Sequence, residues 1–89
     1  MFEWDETKAV HNLDKHGVSF HEAETVFGDT LSMTYPDSFH SGIEQRWITI
    51  GMSEDHRILV VVHTGEGETV RVISAREATR KERKFYEEG

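Results

Sequence analysis

The sequence contains no cysteine, a single proline and no long apolar run. The absence of cysteine excludes disulfide bridges, thiolate metal ligands and a cysteine nucleophile. No apolar segment approaches the roughly 20 residues that a membrane-spanning helix requires. The N-terminal residues 1–5 also lack the basic and hydrophobic regions of a signal peptide. We therefore expect a cytoplasmic protein with no membrane partner.

The residues that are present are typical of one small globular domain, which we place at residues 1–89. Hydrophobic residues make up 36% of the chain and charged residues 30%. This is the composition of a folded protein rather than of a disordered one. A chain of this size buries only about 60% of its unfolded surface. A partner subunit would therefore add to a thin margin of stability.

The charges are distributed unevenly along the chain. The net charge of −7 argues against indiscriminate binding to nucleic acids. Residues 71–84 nevertheless hold six of the ten lysines and arginines and only two acidic residues, a local balance of +4. The rest of the chain has a balance of −11. We therefore expect a basic surface near the C-terminus that faces either phosphates or an acidic protein.

The first third of the chain carries the signals of two helices. A first helix is predicted over residues 5–15, with Gly17 ending it. Ser19 and Glu22 have the spacing of a capping box, in which each side chain satisfies a free amide at the helix start. We expect the second helix to begin there and to end at Gly28 in a left-handed conformation.

The middle of the chain has the alternating periodicity of strands. The continuous apolar run Leu59–Val62 predicts a central strand, and residues 64–68 predict a hairpin turn after it. The predicted strands are residues 31–35, 46–52, 58–64 and 69–73, and a further short strand could form at residues 2–4. We expect an α+β domain with two N-terminal helices, a four-stranded antiparallel sheet and a C-terminal helix.

The C-terminal helix is predicted to begin at Ser74, where capping-box spacing recurs. In such a helix Arg76, Arg80 and Arg83 would lie on one side, either as a binding stripe or as a solvated face. Glu82 would fall on the apolar side. We expect it to pair with an arginine of the sheet, because an unpaired buried charge is costly.

Many short blocks of the sequence together resemble the BrnT family of type II toxins. The longest are Lys15–Phe20 (Lys-His-Gly-Val-Ser-Phe) and Arg71–Arg76 (Arg-Val-Ile-Ser-Ala-Arg). The resemblance covers nearly the whole chain and rests on Trp4–Asp5, Lys15–Phe20, Glu22–Ala23, Phe27–Asp29, Asp37, His40–Ser41, Glu44, Arg46, Gly51, Leu59–Val61, Val70–Arg76, Ala78, Glu82–Arg83 and Tyr86.

The resemblance implies a fold similar to that of the RelE and ParE toxins. It also implies ribonuclease activity that arrests translation, and neutralisation by an antitoxin of the BrnA type. Such antitoxins carry a ribbon-helix-helix DNA-binding part, so DNA would be contacted only through the antitoxin. The charge pattern and the periodicity agree with the fold and with a basic surface, and do not address the other properties.

The chemistry of RNA cleavage identifies candidate residues. The 2′-hydroxyl of RNA is the nucleophile, so the protein must move protons and stabilise a charged phosphorane. Arginine suits the phosphate and histidine suits proton transfer. The candidate phosphate ligands are Arg46, Arg71 and Arg76. The candidate proton-transfer residues are His40 and His63, with Glu44 as an orienting carboxylate. The candidates for gripping flanking RNA are Arg80, Arg83, Lys15 and His16.

Other interpretations of these residues and of the chain remain open. His63 lies on an apolar strand and could be a packing residue, and Arg71 could exist to pair with Glu82. The histidine spacing provides no metal motif, and we expect no metal or other cofactor. Two other functions compete with that of a ribonuclease. The protein could be a non-enzymatic module that binds an antitoxin and modulates the DNA binding of that antitoxin. It could also act on a topoisomerase, and the fold alone does not distinguish this activity from RNA cleavage.

Overall fold

A five-stranded mixed sheet is the centre of the computed structural model, which describes residues 1–39, 42, 44–65 and 67–89. The elements are β1 (Phe2–Glu3), α1 (Glu6–His16), α2 (Phe20–Thr25) with a 3-10 turn (Val26–Gly28), β2 (Met33–Pro36), β3 (Trp47–Met52), β4 (Ile58–Thr64), β5 (Val70–Glu77) and α3 (Arg80–Glu88). The α+β class predicted from the sequence is confirmed.

The strand order is β1-β5-β4-β3-β2, with β4 in the centre as predicted. The pairs β2–β3, β3–β4 and β4–β5 are antiparallel. The short N-terminal strand does form, and it lies parallel to β5, with Phe2 opposite Val70. A parallel pair cannot be joined by a tight turn, and here the connection runs through the whole domain. The sheet is therefore mixed rather than purely antiparallel.

Helix α1 begins and ends where the sequence predicts. The carboxylate of Asp5 accepts hydrogen bonds from the backbone N–H groups of Thr7 at 2.8 Å and Lys8 at 3.2 Å. Gly17 closes the helix at φ 69°, in the left-handed region that glycine adopts without a Cβ clash.

Helix α2 forms only half of the predicted capping box. The Ser19 hydroxyl accepts a hydrogen bond from the Glu22 N–H at 3.0 Å. The Glu22 carboxylate turns instead to Arg57, which donates through Nε at 2.9 Å, and to the Ser53 hydroxyl at 2.7 Å. The left-handed end predicted at Gly28 is wrong, because the helix tightens into a 3-10 turn and Gly28 is not among the residues with positive φ.

The two faces of the sheet differ in how they are covered. The face that we call the helix-covered face packs against α1 and α2 and holds the main core: Val18, Phe20, Ala23, Val26, Leu59, Val61, Val72 and Ala75. The opposite face, which we call the open face, holds a smaller cluster of Ile50, Val60 and Ala78. Helix α3 packs over part of it, with the Tyr86 hydroxyl donating to Asp29 at 2.5 Å.

The boundary between β5 and α3 differs from the prediction. The strand continues to Glu77, so Ser74 pairs across the sheet instead of capping a helix. The capping box is formed by Thr79 and Glu82: the Thr79 hydroxyl accepts from the Glu82 N–H, and the Glu82 carboxylate accepts from the Thr79 N–H at 2.8 Å. Ser74 with Glu77 and Thr79 with Glu82 both have the spacing of a capping box. Residues 74–77 form a strand instead of a helix start because they pair with β4.

Candidate active site

A β-bulge in β5 determines which arginines share a face of the sheet. Adjacent residues of β4 pair with Val72 and Ser74, so Ile73 is an extra residue in the ladder. Residues five apart in a regular strand point to opposite faces. Because Ile73 adds one residue to the strand between them, Arg71 and Arg76 point to the same face instead. That face is the open face, since Arg76 pairs with Val60.

Arg76 makes a two-pronged ion pair with Glu82 of α3. Its Nη1 donates to Oε1 at 2.7 Å and its Nη2 donates to Oε2 at 2.9 Å. The hydrogen bonds from Arg76, together with those from the backbone, lower the pKa of Glu82 to about 2, and the carboxylate in turn raises the pKa of Arg76. The prediction that Glu82 pairs with an arginine of the sheet is confirmed. The arginine is not Arg71, which lies 3.4 Å from Glu3.

Tyr35 joins this group on the open face. It lies on β2 opposite Ile48, which belongs to the open-face cluster. Burial raises the pKa of the Tyr35 hydroxyl, and the charge of Glu82 raises it further while that of Arg76 opposes the change. A phenol thus lies within electrostatic reach of the ion pair and remains 37% exposed. Sequence reasoning missed it, because no local pattern links β2 to β5.

Arg71 lies at the other end of the open face, beside acidic residues. Its Nη1 is 3.4 Å from Oε1 of Glu3. A cavity of about 420 Å³ is bordered by Glu3, Glu44, Gly65, Thr69 and Arg71. The predicted site residues Arg71 and Glu44 are therefore brought together, with a second carboxylate next to them.

His63 lies on the opposite side of the sheet from the two arginines. Its Nε2 is 2.7 Å from the Thr49 hydroxyl, and its ring stands edge-on to Phe27 at 5.0 Å between centroids. Only 7% of the residue is exposed, and this burial lowers the pKa of the imidazole to about 4. The structure does not bring His63 together with Arg71 or Arg76. His40 lies outside the described residues.

The remaining predicted residues occupy separate elements. Arg46 directly precedes β3, and its carbonyl accepts a hydrogen bond from the Asp37 N–H at 2.9 Å. The predicted stripe of three arginines on α3 does not form, because Arg76 belongs to β5. The residues predicted to grip flanking RNA lie on α3 and at the end of α1: Arg80, Arg83, Lys15 and His16.

No three histidine, aspartate or glutamate side chains of the described residues are grouped so that they could hold a metal ion. None of the described helices is long and apolar enough to cross a membrane.

Comparison with known proteins identifies the family. A family model described as the ribonuclease toxin BrnT of type II toxin-antitoxin systems matches residues 4–82. The chain is 28% identical to the Brucella abortus ribonuclease toxin BrnT, known from a crystal structure at 1.1 Å resolution. The two structures superpose with a TM-score of 0.68 over 90% of this chain and 99% of that chain. None of the curated proteins compared matches the sequence. The chain therefore belongs to the BrnT family of ribonuclease toxins of type II toxin–antitoxin systems.

Proposed function

We propose that this protein is an endoribonuclease of the cytoplasm that stops translation and is neutralised by a BrnA-like ribbon-helix-helix antitoxin. The antitoxin would supply the DNA-binding part, so this chain would contact DNA only through it. Membership of a family of ribonuclease toxins supports the reaction class. The observation that carries the proposal is the placement of Arg71 and Arg76 on one face of the sheet by the bulge at Ile73.

Arg76 is the residue that we assign to the scissile phosphate. Its two Nη groups bind both oxygens of the Glu82 carboxylate, and the same planar fork matches two phosphate oxygens. The Arg76 side chain is 41% exposed, so an incoming phosphate can reach it. In this proposal the phosphate replaces Glu82 as the partner of Arg76. Arg71 and Arg46 are assigned to neighbouring phosphates. The residues assigned to flanking RNA remain Arg80, Arg83, Lys15 and His16.

The proposed reaction is a transesterification within the RNA. The 2′-oxygen forms a bond to the adjacent phosphorus, the bond from phosphorus to the 5′-oxygen breaks, and a 2′,3′-cyclic phosphate and a 5′-hydroxyl result. One proton leaves the 2′-hydroxyl and one is given to the 5′-oxygen. The guanidinium of Arg76 offsets the negative charge that develops on the phosphorane. The reaction so written is independent of metal ions and cofactors.

The proton transfer to the leaving group is assigned to a residue on the same face as Arg76. The Tyr35 hydroxyl is protonated at neutral pH, as its ordinary pKa of 10 already ensures and the upward shift maintains, and we assign to it the donation of a proton to the leaving 5′-oxygen beside Arg76. Glu44 keeps the orienting role predicted from the sequence, because it borders the cavity with Arg71, at the other end of the open face from Arg76. The proton-transfer roles predicted for His40 and His63 remain predictions; a phosphate bound to Arg76 lies across the sheet from His63.

Cleavage of a labelled single-stranded RNA in EDTA tests the proposal. We expect the wild-type protein to give fragments ending in a 2′,3′-cyclic phosphate. The double variant Arg76→Gln/Glu82→Gln removes the ion pair without leaving a lone carboxylate. It should cleave about 10²–10³-fold more slowly, the usual cost of losing a donor to the developing charge.

Two controls separate catalysis from folding and from net charge. Glu82→Gln alone retains Arg76 and should cleave at least as fast as the wild type, because its competing carboxylate is gone. Lys84→Gln removes one positive charge from α3 and should leave the rate unchanged. Cleavage at the wild-type rate by the double variant, shown by urea unfolding to be folded, would refute the assignment of Arg76.

The net charge of −7 favours a second candidate, in which the protein only binds its antitoxin and modulates DNA binding. A negatively charged protein must overcome its own long-range field to approach RNA. The same experiment distinguishes the two functions. A folded wild-type protein that cuts neither free RNA nor RNA on translating ribosomes would favour the binding module.

A further inference from the structure

A groove of about 230 Å³ lies between α1 and β5, and we call it the α1–β5 groove. It is lined by Lys8, His11, Asn12, Lys15, His16, Ile73 and Ser74. Two of these side chains are ammonium groups and two are imidazoles, and no carboxylate is among them. A protein with a strongly negative net charge thus concentrates positive and hydrogen-bonding groups in one depression.

Two lysines and one histidine of the groove form a stripe along α1. Lys8, His11 and Lys15 are spaced by three and four residues, which places them on one side of the helix. Among the salt bridges of the described residues, none involves Lys8 or Lys15. Their charges are therefore available to a ligand.

Asn12 fixes the position of this stripe against the sheet. Its Nδ2 donates to the carbonyl oxygens of Val18 at 2.9 Å and Ala75 at 2.8 Å. Its Oδ1 accepts a hydrogen bond from the Ala75 N–H at 3.1 Å. The buried amide thus takes the place of a neighbouring strand at the edge of β5. Because α1 is fastened to β5 in this way, the groove is built before any ligand arrives.

We propose that the α1–β5 groove binds the phosphates of an RNA strand that continues towards Arg76, an inference that rests on the proposed ribonuclease function. Ser74 lines the groove and precedes Arg76 by two residues on β5, or about 7 Å along the strand. Ser74 pairs with Val62 and Arg76 with Val60, so strand alternation places both residues on the open face. The groove, whose other wall is α1 on the helix-covered side, therefore reaches the open face at Ser74, two residues from Arg76.

The composition of the groove favours phosphates over a protein partner. The centres of protein interfaces are apolar and depleted in lysine. The groove contains one aliphatic side chain, Ile73, among cations and hydrogen-bond donors. The exposed apolar side chains of α1 are Val10, 64% exposed, and Leu13, 52% exposed. Both lie in a separate depression with Trp4.

The experiment measures binding of a fluorescent single-stranded 2′-O-methyl RNA, which lacks the free 2′-hydroxyl and cannot be cleaved. The test variant is Lys8→Gln/Lys15→Gln. The matched control is Lys81→Gln/Lys84→Gln, which removes the same charge from α3. Thermal unfolding confirms that both variants are folded. We expect the test variant to bind about tenfold more weakly at low salt. Two lost phosphate contacts should reduce the slope of log K against log salt by about 1.4, since each contact on a single strand contributes about 0.7.

The outcomes separate this inference from the proposed function. An unchanged salt slope in the test variant, or equal effects of the two double variants, would overturn it. Loss of antitoxin binding with unchanged RNA binding would also overturn it, because the occupant would then be an acidic protein segment. Cleavage of ordinary RNA by the wild type reports separately on the ribonuclease. A reduced slope without any cleavage would support the groove and count against the enzyme.

Discussion

His63 should make the stability of the fold depend on pH between the ordinary imidazole pKa of 6.5 and its lowered pKa of about 4. The ring is buried on the helix-covered face, edge-on to Phe27, with Nε2 held at 2.7 Å from the Thr49 hydroxyl. A neutral imidazole fits this site, because the Thr49 hydroxyl can act as donor or acceptor towards Nε2. Protonation would place a charge among aromatic and aliphatic side chains, and among the described residues no carboxylate forms an ion pair with the ring.

The sign and size of the effect follow from the pKa. Burial lowers the pKa of His63 from 6.5 to about 4. Above pH 6.5 the ring is neutral in both the folded and the unfolded chain, so its contribution to stability is fully present. As the pH falls below 6.5 the unfolded chain takes up the proton and the folded protein does not. The free energy of unfolding then decreases, by about 2 kcal/mol at pH 5, using 1.36 kcal/mol per pKa unit.

Urea unfolding at about pH 7 and about pH 5 measures this loss. The comparison is between the wild type and His63→Gln, whose amide can bond Thr49 but does not titrate. We expect the wild type to lose about 2 kcal/mol and the variant to lose less than about 0.5 kcal/mol. The carboxylates with lowered pKa, Glu22 and Glu82, begin to destabilise the fold only as the pH falls below about 4.5, so they do not contribute in this window.

Equal pH dependence in the wild type and the variant would refute the argument. So would a titration of the His63 ring in the folded protein, followed by NMR, with a midpoint near 6.5. The result also bears on mechanism. An imidazole with a pKa of about 4 is neutral at pH 7 and only weakly basic, which would make His63 a poor proton carrier for RNA cleavage.

Two further predictions concern the packing of α1. Asn12→Ala removes three hydrogen bonds to Val18 and Ala75 and should lower the free energy of unfolding by about 3 kcal/mol, at about 1 kcal/mol per bond. The exposed Asp14→Ala variant is the control. A loss under about 1 kcal/mol, no larger than that of the control, would contradict the proposal that Asn12 holds α1 against β5. Gly17→Ala should lower the free energy of unfolding, measured in urea, by about 1 kcal/mol, because Gly17 has φ 69°. Gly28→Ala should leave it almost unchanged, because φ is not positive there and a Cβ would meet nothing within 4 Å. Equal losses in the two variants would show that backbone conformation is not the cause.

Local rules were sufficient where a residue's partners are close along the chain. The start of α1 at Asp5 and its end at Gly17 were predicted correctly, because a helix cap is a hydrogen bond or a backbone angle within a few residues. The same rules were ambiguous for α3, since Ser74 and Thr79 both begin a capping-box spacing. Only the pairing of Ser74 with β4 decided that this segment is a strand.

The sequence by itself determined both ends of α1, the start of α2, the central strand, the concentration of basic residues near the C-terminus and the resemblance to a toxin family. Tertiary structure alone decided which of the candidate residues share a surface. The bulge at Ile73 placed Arg71 and Arg76 on one face, while strand alternation placed His63 on the other. These placements could not be predicted from short stretches of sequence, because they arise from pairing between segments that are distant along the chain. The bulge at Ile73 and the approach of Tyr35 to Arg76 are both of this kind.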